Sequence, residues 1–161
     1  MDNVQEKPVS FFRFEDLRIY AKATDYSSWL LANLGEPTNE RQRSFVNSFC
    51  HSAFDIALNV AEGSSRNKSQ FEHCLKISKT AIRECIVYTA IALNTGLFTA
   101  EESEKSREYL MELTRMIGAL IISLQRGSRR RDDYPETTDT TTDSSDSADP
   151  IDALDAIDIN F

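Results

Sequence analysis

The sequence predicts an all-α fold, an up-down-up-down antiparallel four-helix bundle with a disordered acidic C-terminal tail. The chain has only 5 glycines and 4 prolines in 161 residues, a composition that favours long helices over many turns. In four separate segments apolar residues recur at spacings of three and four, the period of a helix face. Each segment stops near a glycine, the residue that most readily ends a helix in the left-handed conformation. These glycines are Gly35, Gly63, Gly96 and Gly127.

The chain is expected to form one domain with short extensions at both ends. We predict an N-terminal arm over residues 1–13, the bundle over 14–127, and a tail over 128–161. The helices are predicted to run over about 14–34, 39–62, 68–95 and 100–126. Connections of three to six residues between long helices favour antiparallel neighbours.

The first predicted helix presents one apolar stripe to the core, widened by Tyr20, Leu30 and Leu34. The stripe consists of Phe14, Leu17, Ala21, Thr24, Ser28 and Leu31. This helix should stop at Gly35, because Pro37 prevents its continuation.

The second predicted helix begins at Thr38, a residue type that caps helix N-termini, and Gly63 closes it. Its inner face is predicted to consist of Phe45, Phe49, Ala53, Ile56, Ala57 and Val60.

The third and fourth helices begin at stronger capping signals. Asn67 with Gln70, and Thr99 with Glu102, have the spacing of capping boxes. The third inner face is predicted to be Phe71, Leu75, Ser78, Ile82, Cys85, Thr89 and Ala92. The fourth is predicted to be Leu110, Leu113, Ile117, Leu120 and Leu124.

Several apolar residues lie off these stripes, and we expect them to pack against another copy of the chain. They are Ile19, Trp29, Phe54, Leu58, Val87, Met111 and Ile122. The alternative is a monomer whose helices have wider core faces.

The charge of −8 is unevenly distributed along the chain. Residues 132–161 hold ten acids and no base, whereas residues 1–131 hold 18 Lys and Arg against 16 Asp and Glu, a net charge of +2. The acidity therefore belongs to the tail and leaves room for a basic surface on the bundle.

Neither the cysteines nor the N-terminus indicates export or a membrane. Cys50, Cys74 and Cys85 are odd in number, lie in apolar stretches and form no Cys-x-x-Cys pair, so we expect buried thiols in a reducing compartment. No signal-peptide core or run of about 18 apolar residues is present. A cytoplasmic protein without a membrane partner is predicted.

Catalytic signatures are weak, and we expect no catalytic residue, metal or cofactor. A carboxylate-bridged metal site in a bundle needs Glu-x-x-His pairs, whereas Glu72 directly precedes His73. Cys50 and His51 are also adjacent, and adjacent helical side chains diverge by about 100°. The alternative to catalysis for the polar residues Asp55, Asn59, Glu62 and Glu84 is a structural network between the second and third helices.

Three parts of the chain resemble the 23S rRNA-intervening-sequence protein family, itself similar to the accessory variability proteins of diversity-generating retroelements. They are FEDLRIYAKA at 14–23, NVAEG at 59–63, and Phe71 with Leu75, Arg83 and Glu84. The resemblance extends over about residues 14–124. It implies a bacterial cytoplasmic bundle that assembles as a ring-shaped homopentamer, has no catalytic activity and binds RNA or DNA. Asn59, Glu62, Gly63 and Glu84 match the family pattern and resemble packing, capping or interhelix hydrogen-bonding residues.

Binding of RNA or DNA would use basic residues, whose effect a ring of subunits would multiply. We predict that Arg41, Arg43, Arg66 and Lys68 lie near one end of the bundle. The remaining candidates lie on the third helix and at the end of the fourth: Lys76, Lys79, Arg83, Arg126, Arg129, Arg130 and Arg131.

The tail suggests three alternatives. It is a solubilising extension, an acidic competitor for the basic surface, or a spacer for a docking tip at Ile159 and Phe161 that recruits a protein partner. The final DINF resembles the acidic tip of bacterial single-stranded-DNA-binding proteins, which recruits partner enzymes.

Overall fold

The computed structural model describes residues 11–132, with side chains up to Arg126. A short 3-10 helix, Arg13–Asp16, precedes α1 (Arg18–Asn33), α2 (Glu40–Ser64), α3 (Lys68–Asn94) and α4 (Ala100–Asp132). Residues 11–132 contain no strand. The predicted all-helical fold with four helices is confirmed, while most of the predicted arm and the tail from residue 133 onward lie outside the described residues.

Two helix boundaries differ from the prediction. The first helix was expected from residue 14, but Leu17 has an extended backbone (φ −76°, ψ 119°) that separates the 3-10 turn from α1. The fourth helix was expected to stop near Gly127, yet α4 continues to Asp132. A single glycine weakens a helix by only about 1 kcal/mol, and Gly127 does not stop α4.

The helix caps agree with the prediction at α3 and α4 and correct it at α2. Asn67 accepts a hydrogen bond from the Gln70 backbone N–H (2.9 Å). Thr99 and Glu102 bond each other reciprocally, at 2.7 Å and 3.2 Å from backbone N–H to side-chain oxygen. At α2 the cap is Asn39 rather than Thr38, because the Asn39 side chain accepts from the Gln42 N–H (3.0 Å).

The prediction that four glycines cap four helices is right only for Gly96. Gly96 has φ +75°, and within residues 11–132 it alone has a positive φ among the glycines. Gly35 follows Leu34, the residue that ends α1, and Gly63 lies inside α2. A Cβ on Gly63 would lie 2.7 Å from the Cβ of Cys74, so this glycine allows α2 and α3 to approach closely.

The core lies between all four helices, and the predicted inner faces of α2, α3 and α4 are confirmed. Fully buried apolar side chains include Phe49, Ile56, Leu75, Ile82, Leu110 and Ile117. At the edges Phe45, Phe71, Leu120 and Leu124 are partly buried against this cluster.

The predicted inner face of α1 is wrong. The residues of α1 that are buried are Ile19, Ala23, Tyr26, Ser27 and Leu30. Leu31, placed on the core stripe by the prediction, is 58% exposed. Both faces of α1 have apolar residues at helical spacing, so periodicity alone did not identify the one that meets the core.

This correction also changes the set of residues assigned to a contact with another copy. Ile19 is buried and Trp29 packs against the core beside Phe98. The other off-stripe residues are exposed as predicted: Phe54, Leu58, Val87, Met111 and Ile122.

Each helix contacts its neighbours along the chain, and α1 also contacts α4. Within residues 11–132, none of the helices combines the length and apolar character that crossing a bilayer requires.

Candidate nucleic-acid interface

Basic residues from three helices meet at the end of the bundle that contains the α2–α3 turn. Arg66 lies in this turn and Lys68 begins α3. Gln125 on α4 donates a hydrogen bond to the Glu72 carboxylate on α3 (2.8 Å), which places Arg126 beside the first turn of α3. All three basic side chains are exposed.

The extra length of α4 adds to this end. Residues 126–132 continue the helix beyond the Gln125–Glu72 contact, and a helix rises about 1.5 Å per residue. The backbone positions of Arg129, Arg130 and Arg131 therefore extend toward or beyond the level of the α2–α3 turn, although their side chains lie outside the described residues. We call Arg66, Lys68, Arg126 and these three backbone positions the basic pole.

Arg41 and Arg43 do not belong to the basic pole, which corrects the prediction that they lie near Arg66 and Lys68. They lie in the first turn of α2, whereas Arg66 follows its last turn. With 25 residues in α2, these two points are roughly 36 Å apart. Arg43 is paired at 3.7 Å with Glu40.

Lys76, Lys79 and Arg83 extend the basic surface along α3. Their spacings of three and four place them on one side of the helix, and Lys76 and Arg83 are exposed while Lys79 is half-buried. Lys76 lies 3.6 Å from the Glu72 carboxylate.

Acidic neighbours neutralise part of this charge. Arg66 donates through Nε to the Glu62 carboxylate (2.9 Å) and is also bonded to it through a terminal guanidinium nitrogen. This contact raises the pKa of Arg66, chiefly through the hydrogen bonds to Glu62. A phosphate at the basic pole would therefore compete with Glu62 for this guanidinium.

The opposite end of the bundle is acidic. A cleft of about 640 Å³ opens where α1 ends and α4 begins. Its lining includes Trp29, Lys105, Glu101, Glu102, Glu104 and Glu108. Charges of opposite sign at the two ends favour approach of a polyanion to the basic pole.

The predicted polar network of Asp55, Asn59, Glu62 and Glu84 does not form as one unit. Asn59 donates to the Asp55 backbone carbonyl (2.8 Å), while the Asp55 carboxylate lies 3.2 Å from His51. Glu62 bonds Arg66. Only Glu84 makes a printed bond between α2 and α3, accepting from the Ser52 hydroxyl (2.7 Å).

A buried chain of hydroxyls that sequence reasoning missed joins α1, α3 and α4. Tyr26 bonds Ser106 (3.1 Å), Ser106 bonds Thr89 (2.8 Å), and Thr89 donates to the Cys85 carbonyl (2.8 Å). Burial raises the pKa of Tyr26, so this hydroxyl stays protonated. The available signal was a tyrosine at helical spacing from Ile19, Ala23 and Leu30.

The structure brings together few groups with catalytic or metal-binding chemistry. Within residues 11–132, His, Cys, Asp and Glu side chains do not gather in threes at a possible metal position. Cys50 and Cys85 are buried, Cys74 is half-buried, and all three are free thiols. The predicted docking residues Ile159 and Phe161 lie outside the described residues.

Comparison with protein families gives one match within the bundle. A family model described as 23S rRNA-intervening sequence protein matches residues 15–119. The matched segment contains Asn59, Glu62, Gly63 and Glu84 but ends before Arg126. No curated protein matches the chain.

Proposed function

The chain belongs to the 23S rRNA-intervening sequence protein family, and from this premise we propose a non-enzymatic, oligomeric protein that binds RNA or DNA at its basic pole. The observation that carries the proposal is the meeting of Arg66, Lys68 and Arg126 at one end. Clustered cations gain affinity for a phosphate backbone by releasing its counterions.

The proposed binding mode reads phosphates rather than bases. The basic residues stand on helix surfaces and in a turn, and among the described residues of the pole no aromatic side chain is included on which a base would stack. Such binding depends on salt and tolerates many sequences. RNA and DNA are both candidates, because phosphate is the group recognised.

We propose the up-down-up-down arrangement for the four helices. Two contacts between α1 and α4 support it. Lys22, early in α1, lies 2.5 Å from Glu112, inside α4. Trp29, late in α1, contacts Phe98, just before α4 begins. This arrangement places the end of α2, the start of α3 and the end of α4 together, as the basic pole requires.

We propose further that several copies form a ring, a homopentamer by family resemblance, in the bacterial cytoplasm. Exposed apolar side chains support self-association: Ile77, Val87 and Ile91 lie on one side of α3. A ring would display several basic poles, and several weak sites acting together bind more tightly than one.

The second candidate is a protein-interaction scaffold whose acidic C-terminal tip recruits a partner. An apolar groove between α1 and α2 favours a role in protein contacts, since nothing in its lining is charged.

Matched charge reversals test nucleic-acid binding. Lys68→Glu with Arg126→Glu alters the basic pole, and Arg41→Glu with Arg43→Glu makes the same charge change at the far end of α2. Fluorescence anisotropy with a labelled RNA hairpin, and with a DNA duplex of the same sequence, measures affinity over a salt series. We expect the first variant to lose roughly tenfold in affinity and to reduce the salt slope by about 1 per lost contact.

The control variant should bind as the natural chain does. Equal losses in both variants would show that overall charge, and not the basic pole, attracts the nucleic acid. Absence of binding by the natural chain at low salt would overturn the proposal and leave the scaffold as the better explanation.

A further inference from the structure

An apolar groove of about 510 Å³ runs between α1 and α2. We call it the α1–α2 groove and define it by Phe14, Tyr20, Leu31, Phe54, Leu58 and Ala61. Leu58 is 62% exposed and Leu31 58% exposed. Water contacts these side chains unless another apolar surface covers them, and covering apolar surface is favourable by about 25 cal/mol per Å².

The polar atoms in the groove are already bonded to the helices that bear them. Thr24 donates to the Ala21 carbonyl (2.8 Å) and Ser28 to the Thr24 carbonyl (2.9 Å). Ser27 donates to the Ala23 carbonyl (3.0 Å). With its hydroxyl protons used in this way, the groove favours an apolar occupant over a polar ligand.

Helix α1 has two apolar faces, and only one of them is used within the described bundle. Ile19, Tyr26 and Leu30 are buried in the core. Phe14, Tyr20 and Leu31, at helical spacing on another face, line the groove. A second apolar face on a helix indicates a second packing partner.

We propose that the C-terminal segment of the same chain, residues 151–161, occupies the α1–α2 groove. Of the sequence outside the described residues, this stretch alone repeats large apolar side chains: Ile151, Leu154, Ile157, Ile159 and Phe161. Residues 133–149 contain no aliphatic side chain larger than alanine apart from Pro135, and residues 1–10 contain two valines and Met1.

The segment is within reach of the groove. It is joined to α4 by residues 133–150, which span at most about 60 Å when fully extended. The bundle is two helices across, roughly 20–25 Å. In the proposed arrangement, α4 ends at the same end of the bundle at which Phe14 and Ala61 line the groove.

Charge favours the same placement. Asp152, Asp155 and Asp158 alternate with the apolar residues of the segment. Arg13 directly precedes Phe14, and both Arg13 and Arg18 are exposed near the start of α1. Apolar side chains in the groove and carboxylates toward these arginines satisfy both halves of the segment.

Photo-crosslinking of the full chain tests the proposal. Phe161 is replaced by benzoylphenylalanine, the protein is irradiated, and mass spectrometry locates the crosslinked peptides. We expect crosslinks in α1 and α2 peptides that contain Leu31 or Leu58. Leu58→Glu should reduce their yield several-fold, whereas Val87→Glu, an equally exposed aliphatic position on α3, should leave it unchanged.

The source of the segment is determined by mixing. ¹⁴N and ¹⁵N chains are unfolded and refolded together before irradiation, and crosslinks within one isotope support the proposal. Crosslinks between isotopes would overturn it in favour of docking between copies, and crosslinks absent from α1 and α2 would overturn it in favour of an external partner. Circular dichroism checks folding, and Leu31→Gln serves as a second groove variant.

None of these outcomes depends on nucleic-acid binding. A chain that fails to bind RNA can still dock its C-terminal segment, so the two proposals fail separately.

Discussion

The Tyr26 hydroxyl donates a hydrogen bond of 3.1 Å to Ser106 and so joins α1 to α4 across 80 positions of the chain. The donor follows from counting protons. Thr89 spends its only O–H on the Cys85 carbonyl, so Ser106 must donate to Thr89 and must accept from Tyr26.

This order of donors predicts unequal costs for two substitutions. Tyr26→Phe leaves Ser106 still donating to Thr89, and we expect it to lower the free energy of unfolding by about 1 kcal/mol. Ser106→Ala leaves the buried Tyr26 O–H without its acceptor and should cost more, about 1–3 kcal/mol. Urea unfolding of both variants and of the double variant measures the difference. A larger cost for Tyr26→Phe would contradict the assigned order.

Gly63 and Gly118 provide a matched pair for a second prediction. Both lie inside helices, but a Cβ on Gly63 would lie 2.6 Å from the Phe71 ring, whereas nothing in the chain lies within 4 Å of a Cβ on Gly118. Gly63→Ala should therefore destabilise the fold by about 1–3 kcal/mol through overpacking. Gly118→Ala should stabilise it by about 0.5–1 kcal/mol. Thermal unfolding checks both, and equal shifts in Tm would refute the close approach at Gly63.

Local signals in the sequence predicted local structure well. Thr99 and Glu102 satisfy each other within one helical turn, so their spacing was enough to locate the start of α4. The inner faces of α2 and α3 were also predictable, since each has one dominant apolar stripe.

Long-range relationships were not predictable in the same way. Helix α1 is apolar on two sides, and its neighbours decide that Tyr26 faces the core while Leu31 lines the groove. Arg41 and Arg66 look close in sequence, but a single helix separates them along its whole length. Gly63 resembled a helix end because its contact with Cys74 depends on how α3 packs.

The Cys85 thiol gives a prediction about pH. Burial is the largest cause that raises the pKa of Cys85 from its ordinary 9.0 to about 12. The folded chain thus keeps a proton that the unfolded chain loses, and the associated stability is complete below pH 9 and is lost as pH rises toward 12.

Urea unfolding at pH 7 and pH 10 under reducing conditions measures this effect. The natural chain should lose about 1.4 kcal/mol more between these pH values than Cys85→Ala does, because the variant has no thiol to titrate at this position. The difference between the two chains cancels the titration of most other groups. An identical loss in both would show that the Cys85 proton is not linked to folding.

Self-association gives a fourth prediction. Val87 is 58% exposed on α3, so a charge there should leave the fold intact while burying unfavourably in a contact between copies. Val87→Glu should convert the assembly to smaller species in size-exclusion chromatography with light scattering. Ser48→Glu, on the exposed side of α2, should retain the mass of the natural chain. A monomeric natural chain would remove the ring from the proposed function.

The acidic tail gives the last prediction, because its charge is opposite to that of the basic pole. Beyond Asp132 the chain has nine Asp and Glu and no Lys or Arg. If these carboxylates compete with phosphates, a chain ending at Asp132 should bind an RNA hairpin roughly tenfold more tightly than the full chain at about 50 mM salt. A full-length chain with the nine acids replaced by Asn and Gln separates charge from length and should match the truncated chain. The gap should shrink by about 300 mM salt, where screening weakens exposed charges. A neutralised tail that behaves like the natural one would exclude electrostatic competition, and circular dichroism of each chain ensures that only folded proteins are compared.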